Sequence, residues 1–427
     1  MSKIALDSLG CKLNQAEVDT LARQLVGKGY QLTESVGEAD IYVLNTCTVT
    51  HIADRKSRHL LRAVRRQNPG ALIVAIGCYA QRAAEELEQL GIVDLILNNN
   101  EKSHLVDSVE RIREPGNGGI IDSRDKWRSR TRSLIKIQEG CSHFCAFCVV
   151  PYVRGRERSL PWDEVFQEVR ARVAAGCKEV VLTGTNIGRY AWNGQGLRGL
   201  SALVQHILNE TGVVRLRLSS LQPQDLTSDL IRLWADERLC PHLHIPLQSG
   251  SETVLRQMDR LYTLDDYERA IRSAREAVPD LAVTTDILVG FPGEGEEEFE
   301  EGYRFCERMN FANIHVFPYS ARHDTPASKM PDQVEEKVKK ERSQMMLTLA
   351  QQAAQRFRRQ FLGRTMKVLW ENRAGQTTWN GLTANYLRVF TRSSEDLSNQ
   401  LLGMKLVADN GHALLGEIIK GGYSQNG

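Results

Sequence analysis

Short apolar runs alternate with amphipathic stretches of helical period through the first 122 residues. Lys3–Ser8, Ile41–Asn45, Leu72–Ile76 and Val93–Leu97 read as strands, and Gln15–Lys28, Ile52–Gln67 and Ala80–Leu90 as helices. That alternation predicts a parallel sheet with helices on both faces. The same rhythm resumes after residue 123, with strands at Ser133–Gln138, Val180–Thr183, Val214–Ser219, His242–Pro246, Ala282–Leu288 and Asn313–Pro318 and helices between them. A closed eight-unit barrel takes about 250 residues; this stretch is shorter and predicts an open, partial (βα)6 barrel. A long helix rich in Lys, Arg and Gln, Gln333–Phe361, closes it and is expected to pack and bridge. The pattern then changes to short β runs at Met366–Glu371, Tyr386–Phe390, Lys405–Ala408 and Ala413–Ile418, which predict a small antiparallel barrel. The expected organisation is α/β: residues 1–122, 123–360 and 361–427.

Composition adds little. The chain has 427 residues and a formal charge of +2, so overall charge does not announce a nucleic-acid partner and local clusters must be read instead. No signal peptide is apparent, and no apolar stretch approaches the roughly 18 residues of a membrane span. The expected setting is the cytoplasm, where clustered thiols bind metal or do chemistry.

The nine cysteines carry the chemistry. Cys141, Cys145 and Cys148 stand at C-x3-C-x2-C spacing just after the Ser133–Gln138 strand. Structural zinc usually takes four closed ligands, whereas a four-iron cluster held by three thiolates keeps one iron open. Cys11, Cys47 and Cys78 each follow one of the first three strands. Parallel order brings them to one sheet edge, where ligands sit in such folds, as a second three-thiol set. Gly10 and Gly77 are expected to let backbone approach that cluster. Cys177, Cys240 and Cys306 have no partner spacing and are expected in the core.

Other clusters read two ways. The basic residues Arg55, Lys56, Arg58, Arg62, Arg65 and Arg66 suit a solvated helix face or an RNA-facing one. Asp122–Arg132 suits an exposed linker or a phosphate-tracking strand. Trp370, Trp379, Tyr386 and Phe390, interleaved with Arg373, Arg388 and Arg392, fit base stacking with phosphate contacts, or else they fill the small barrel.

Together these residues resemble the methylthiotransferase family of radical S-adenosylmethionine (SAM) enzymes. The most specific runs are His242-Leu-His-Ile-Pro-Leu-Gln-Ser-Gly-Ser251, Met258-Asp-Arg-Leu-Tyr-Thr263 and Thr285-Asp-Ile-Leu-Val-Gly-Phe-Pro-Gly-Glu294. The resemblance spans essentially the whole chain and implies a terminal RNA-binding barrel of the TRAM type. Gly10-Cys-Lys-Leu-Asn-Gln15, Asn45-Thr-Cys-Thr-Val-Thr50 and Gly77-Cys-Tyr-Ala-Gln81 are similar to the branch acting on N6-threonylcarbamoyladenosine at tRNA position 37. One departure is Ser219-Ser-Leu-Gln-Pro223, where that branch more often has Glu in place of Gln222.

The resemblance implies two [4Fe–4S] clusters, on Cys141, Cys145 and Cys148 and on Cys11, Cys47 and Cys78. It also implies SAM contacts from Phe147, Gly184, Thr185, Asn186, Ser220, Gln248, Asp286 and Val289, with Gly290 and Gly293 admitting adenine against backbone. The hydrogen on adenine carbon-2 is beyond any side-chain base, so the hard step falls to cofactors. The first cluster and SAM would yield a 5′-deoxyadenosyl radical that abstracts it. The second cluster would supply sulfur, methylated by another SAM, and no side-chain acid or base is assigned. The implied partners are the tRNA anticodon stem-loop, an external electron donor and a sulfur donor. Alternative readings are a methylthiotransferase for isopentenyladenosine or a ribosomal protein, and a non-enzymatic iron–sulfur RNA-binding or redox-sensing protein.

Overall fold

The computed structural model describes residues 2–112, 131–192 and 198–419. The amino-terminal domain is a five-stranded parallel sheet in the order Gln31–Leu32, Lys3–Ser8, Ile41–Thr46, Leu72–Gly77, Leu95–Leu97. The middle strand is buried along its whole length, which is why it reads as a continuous apolar run rather than an alternating one. Lys12–Gly27 and His51–Gln67 form the first two helices. The third predicted helix is broken into Cys78–Arg82 and Ala84–Glu88 by the non-helical Ala83 (φ −145°, ψ 58°). The break lets Tyr79 and Leu87 both bury completely. A further helix, Leu105–Ile112, inserts Leu105, Val106 and Val109 into the core beside Leu21 and Leu25.

The central domain has six parallel strands in two ladders. Arg132–Lys136, Glu179–Thr183 and Arg215–Leu218 form one, and His242–His244, Ala282–Val289 and Asn313–Pro318 the other. Single bridges, Leu216 to Leu239 and Ser220 to His244, join them. Among the described residues the two outer strands do not pair with each other, so the barrel stays open as the unit count predicts. Cys177, Cys240 and Cys306 are buried within this domain. The long helix Glu336–Arg359 bridges as expected: Arg342 Nη1 donates to the Glu294 carbonyl at 2.7 Å, and Arg358 Nε to Asp409 Oδ1 of the terminal barrel at 3.1 Å.

The terminal domain is a closed five-stranded barrel of Thr365–Arg373, Thr378–Thr383, Arg388–Arg392, Leu401–Asp409 and Leu414–Ile418. Thr378–Thr383 escapes the sequence pattern because its Asn380 and Gly381 look like turn residues. Gly381 is needed there: a Cβ would lie 2.6 Å from the Leu369 carbonyl oxygen. The barrel is not wholly antiparallel, since Arg388–Arg392 pairs in parallel with Leu414–Ile418.

Trp370 and Trp379 do not face solvent. They fill the barrel with Val389, Met404 and Leu414, so base stacking by these two rings is corrected to core packing. Residues 122–130 of the charged connector lie outside the described residues. Arg132 itself is engaged, with Glu371 at 2.5 Å and the Tyr386 hydroxyl at 3.2 Å. Among the described residues no helix is long and apolar enough to cross a membrane.

Candidate active site between two three-cysteine loops

Each thiol of the first set follows a parallel strand, so all three stand at the carboxyl edge of the amino-terminal sheet. Cys47 and Cys78 are buried and Cys11 is exposed. Gly10 carries φ +98°, and a Cβ there would sit 2.6 Å from Cys47 Sγ; only glycine permits that approach. Gly77, at φ +97°, is equally crowded, 2.2 Å from Asn45 Oδ1. Burial pushes the Cys47 thiol up to about 11, so it resists ionising alone and is suited to losing its proton to a metal.

The second set lies on the loop after the first strand of the central barrel. Cys148 N donates to the Cys145 carbonyl at 3.0 Å, closing the turn. Burial pushes the Cys148 thiol up to about 12. Burial also acts on Cys145, but His143 and Arg260 outweigh it and hold its pKa below the ordinary thiol value. Arg260 Nη1 donates to Cys145 Sγ at 3.2 Å and Nε to the Tyr262 hydroxyl at 3.1 Å. Its Nη2 donates to Gln222 Oε1. Gln222 is therefore one side chain removed from the Cys145 thiol.

Two buried ion clusters clamp the sheet edge against the barrel. Arg154, just beyond Cys148, donates from Nη1 to Glu17 Oε1 at 2.9 Å and from Nη2 to Asn14 Oδ1 at 2.5 Å. Lys102 Nζ reaches Glu17 Oε2 at 2.7 Å. Burial works against the Glu17 carboxylate, yet Lys102 and Arg154 hold its pKa well below the usual range. On the other side, Arg322 Nη2 donates to the Thr48 carbonyl at 2.7 Å and to Asp54 Oδ2 at 2.8 Å. The helix carrying Asp54 keeps Arg55, Lys56, Arg62 and Arg66 exposed, whereas Arg58 donates to the Tyr79 hydroxyl at 2.6 Å and Arg65 to the Ala71 carbonyl at 2.9 Å.

Two cavities lie between the thiol sets. The first, about 490 Å³, is lined by Cys141, Cys145 and Cys148, by Phe147, Thr185, Asn186, Ser220, Gln248 and Asp286, and by Val49 and Thr50 of the Cys47 loop. The second, about 430 Å³, is lined by Cys11, Lys12, Gly184, Ser220, His242, His244, Asp286, His315 and Tyr386. Ser220, Asp286 and Phe317 border both cavities.

Thr185 Oγ1, Asn186 Oδ1 and Ser219 Oγ are buried without a hydrogen-bond partner. Such orphaned groups call for a ligand; Thr185 and Asn186 share the first cavity with Cys141, Cys145 and Cys148 and fit a SAM-binding iron–sulfur cluster, whereas Ser219 lines the second cavity. Gly184 faces the second cavity rather than the first. Val289 faces neither: its side chain belongs to the barrel core and its carbonyl accepts from Tyr319 N at 2.8 Å. Leu288 lines the first cavity in its place. Gly290 and Gly293 also differ from expectation. A Cβ at Gly290 would meet Lys339 Cγ at 2.4 Å, and one at Gly293 would meet Gln257 Oε1 at 3.2 Å. These glycines make room for the Lys339 and Gln257 side chains.

Sequence pattern did not single out Lys12, Arg154, Arg260 or His315. The first three stand close to a cysteine of one set or the other. His315 joins His244 and Asp286 in a tight group, with His244 Nε2 3.3 Å from Asp286 Oδ2.

Residues 135–306 match the Radical SAM superfamily, and residues 3–98 match the group described as Uncharacterized protein family UPF0004. The chain is 36% identical over 443 residues to the threonylcarbamoyladenosine tRNA methylthiotransferase MtaB of Bacillus subtilis, covering 100% of this chain and 96% of that protein. It is 33% identical to the tRNA-2-methylthio-N(6)-dimethylallyladenosine synthase of Acetivibrio thermocellus, covering 97% of this chain and 90% of that protein. The fold is similar to that of the radical SAM methyltransferase TsrM from Kitasatospora setae, with a TM-score of 0.55 at 17% identity and 77% of each chain covered. With both cysteine sets in place around the shared cavities, the chain belongs to the radical SAM tRNA methylthiotransferase family.

Proposed function

We propose that this enzyme places a methylthio group on carbon-2 of N6-threonylcarbamoyladenosine at position 37 of tRNA, beside the anticodon. The observation that carries the reading is the pairing of two three-thiol sets across cavities that meet at Ser220, Asp286 and Phe317. One set alone would serve radical chemistry without a sulfur source.

Cys141, Cys145 and Cys148 would hold one [4Fe–4S] cluster, and Cys11, Cys47 and Cys78 a second. When bound, the clusters and SAM supply a radical able to take the unactivated carbon-2 hydrogen, together with sulfur and its methyl group. The chain's own residues bind and shield. Thr185 and Asn186 offer unpaired polar atoms to SAM. Leu288, Phe317 and Pro246 line the first cavity with apolar surface and limit water. The two ion clusters at Glu17 and Asp54 fix the thiol sets relative to each other, and loss of even ~1 Å in such alignment is costly. His242 is held neutral chiefly by burial, with Arg217 and Lys12 adding to it, and no side chain acts as general base on the substrate carbon. The terminal barrel contacts the RNA through exposed Arg388 and Arg392 rather than through its tryptophans. The reading requires an external electron donor and a sulfur donor, and it places the enzyme in the cytoplasm.

Tandem mass spectrometry of tRNA nucleosides from cells lacking the gene tests the substrate. The reading predicts loss of 2-methylthio-N6-threonylcarbamoyladenosine with 2-methylthio-dimethylallyladenosine retained. The reverse pattern would favour the activity named for the Acetivibrio relative.

A further inference from the structure

The second cavity is lined by a cation that, among the described residues, has no carboxylate within ion-pair distance. Lys12 follows Cys11 directly and lines the cavity wall. Its neighbours are matched: Arg132 has Glu371 at 2.5 Å, and Arg217 grips Glu179 at 2.8 and 3.0 Å. Among the described residues Lys12 Nζ makes no hydrogen bond and no ion pair. It lies over the Tyr386 ring, 5.6 Å from Nζ to the centroid. Asp286, the carboxylate on the same cavity, is already engaged by His244 at 3.3 Å.

Tyr386 forms a fixed wall beside this lysine. It holds φ 72°, stacks on His242 at 4.7 Å, and accepts a hydrogen bond from Arg132. A half-buried ammonium with no ion-pair partner is poorly satisfied unless a ligand supplies the charge. Because it cannot be satisfied by hydrocarbon, it also works against an apolar occupant.

We propose that Lys12 is the counter-ion for an acidic substituent on the substrate base, selecting a carboxylate-bearing adenosine over a hydrocarbon-bearing one. The inference rests on the substrate reading above and deepens it. The threonylcarbamoyl group carries a carboxylate; the dimethylallyl group carries none. Lys12 is then a specificity residue placed where the base enters beside Cys11.

The test uses cluster-loaded enzyme and three synthetic anticodon stem-loops bearing N6-threonylcarbamoyladenosine, its threonine methyl ester, or N6-dimethylallyladenosine. Binding is read by fluorescence anisotropy at one fixed salt concentration. The wild-type protein is expected to bind the acid at least about tenfold tighter than either other RNA, since a site built for a polar group rejects an analogue lacking it. Lys12→Met should abolish that preference by weakening the acid alone, and Lys12→Arg should retain it.

Equal binding of acid and ester by the wild-type protein would overturn the proposal, and that comparison needs no variant. Equal weakening of all three RNAs by Lys12→Met would also overturn it, because Lys12 would then serve the cluster or the RNA phosphates. Turnover of the same acid stem-loop separates the two readings. Methylthiolation without acid preference sinks only the role of Lys12. Absence of methylthiolation, with the dimethylallyl stem-loop turned over instead, sinks the substrate reading itself.

Discussion

At the scale of single residues, Arg260 and Cys78 carry the sharpest expectations. Arg260 donates to Cys145 Sγ at 3.2 Å, and hydrogen bonds and positive charge near cluster sulfur raise the reduction potential. Arg260→Met should therefore make the potential of the cluster on Cys141, Cys145 and Cys148 more negative, as measured by redox titration monitored by electron paramagnetic resonance. An unchanged potential would mean that the guanidinium acts only on Gln222 and Tyr262. Cys78→Ser should abolish methylthiolation while leaving reductive cleavage of SAM to 5′-deoxyadenosine intact. Equal loss of both activities would contradict a division of labour between the two sets. The thiols were legible in the sequence because chemistry constrains their spacing. Arg260 and Lys12 were not, because a lone cation in a motif carries no periodicity. Only the fold shows that one meets the Cys145 sulfur and that the other, among the described residues, has no ion-pair partner.

At the scale of elements, the ion cluster at Glu17 ties the Lys12–Gly27 helix to the turn that follows Cys148. Glu17→Gln leaves Arg154 and Lys102 buried with a neutral partner, and breaking a buried pair of this kind typically costs about 3–5 kcal/mol. The pH dependence has a definite sign. The folded carboxyl titrates below its unfolded value, so its contribution is complete above the ordinary glutamate range and is lost as pH falls toward the native pKa. Between about pH 5 and about pH 3 the wild-type protein should lose more denaturation free energy than Glu17→Gln. Parallel slopes for the two proteins would remove Glu17 from the account.

Elements also show where patterning succeeds and fails. The Lys3–Ser8 and Asn313–Pro318 strands have the boundaries that their apolar runs predict. Ala80–Leu90 does not stay one helix, because its period is satisfied equally by two short helices turned about Ala83. The aromatics of the terminal barrel alternate with arginine in a way that suits RNA or a small core alike. Closure of the barrel decides for the core at Trp370 and Trp379. Trp379→Ala should accordingly cost about 3–5 kcal/mol of domain stability, read by thermal denaturation. A variant of unchanged stability that lost only RNA affinity would restore the stacking role.

At the scale of the whole molecule, an amino-terminal sheet and an open barrel present their carboxyl edges to each other. Each edge carries three thiols and no fourth. The long helix Glu336–Arg359 and the Glu17 and Asp54 clusters fix that opposition, and the terminal barrel places Tyr386 against Lys12. Six strands rather than eight leave the barrel open where the amino-terminal domain and the terminal barrel complete the cavities. The change to a small β-barrel after the long helix was readable from the change of rhythm along the chain. The way the two cavities meet was not, because it depends on packing between segments far apart in sequence.

The most direct measurement is iron and acid-labile sulfide per chain after anaerobic reconstitution. Two three-thiolate sites, each holding a four-iron cluster, predict about eight irons per chain, falling to about four in a Cys11, Cys47 and Cys78 triple serine variant. A wild-type protein that saturates at about four irons, or that takes up zinc instead, would contradict the account.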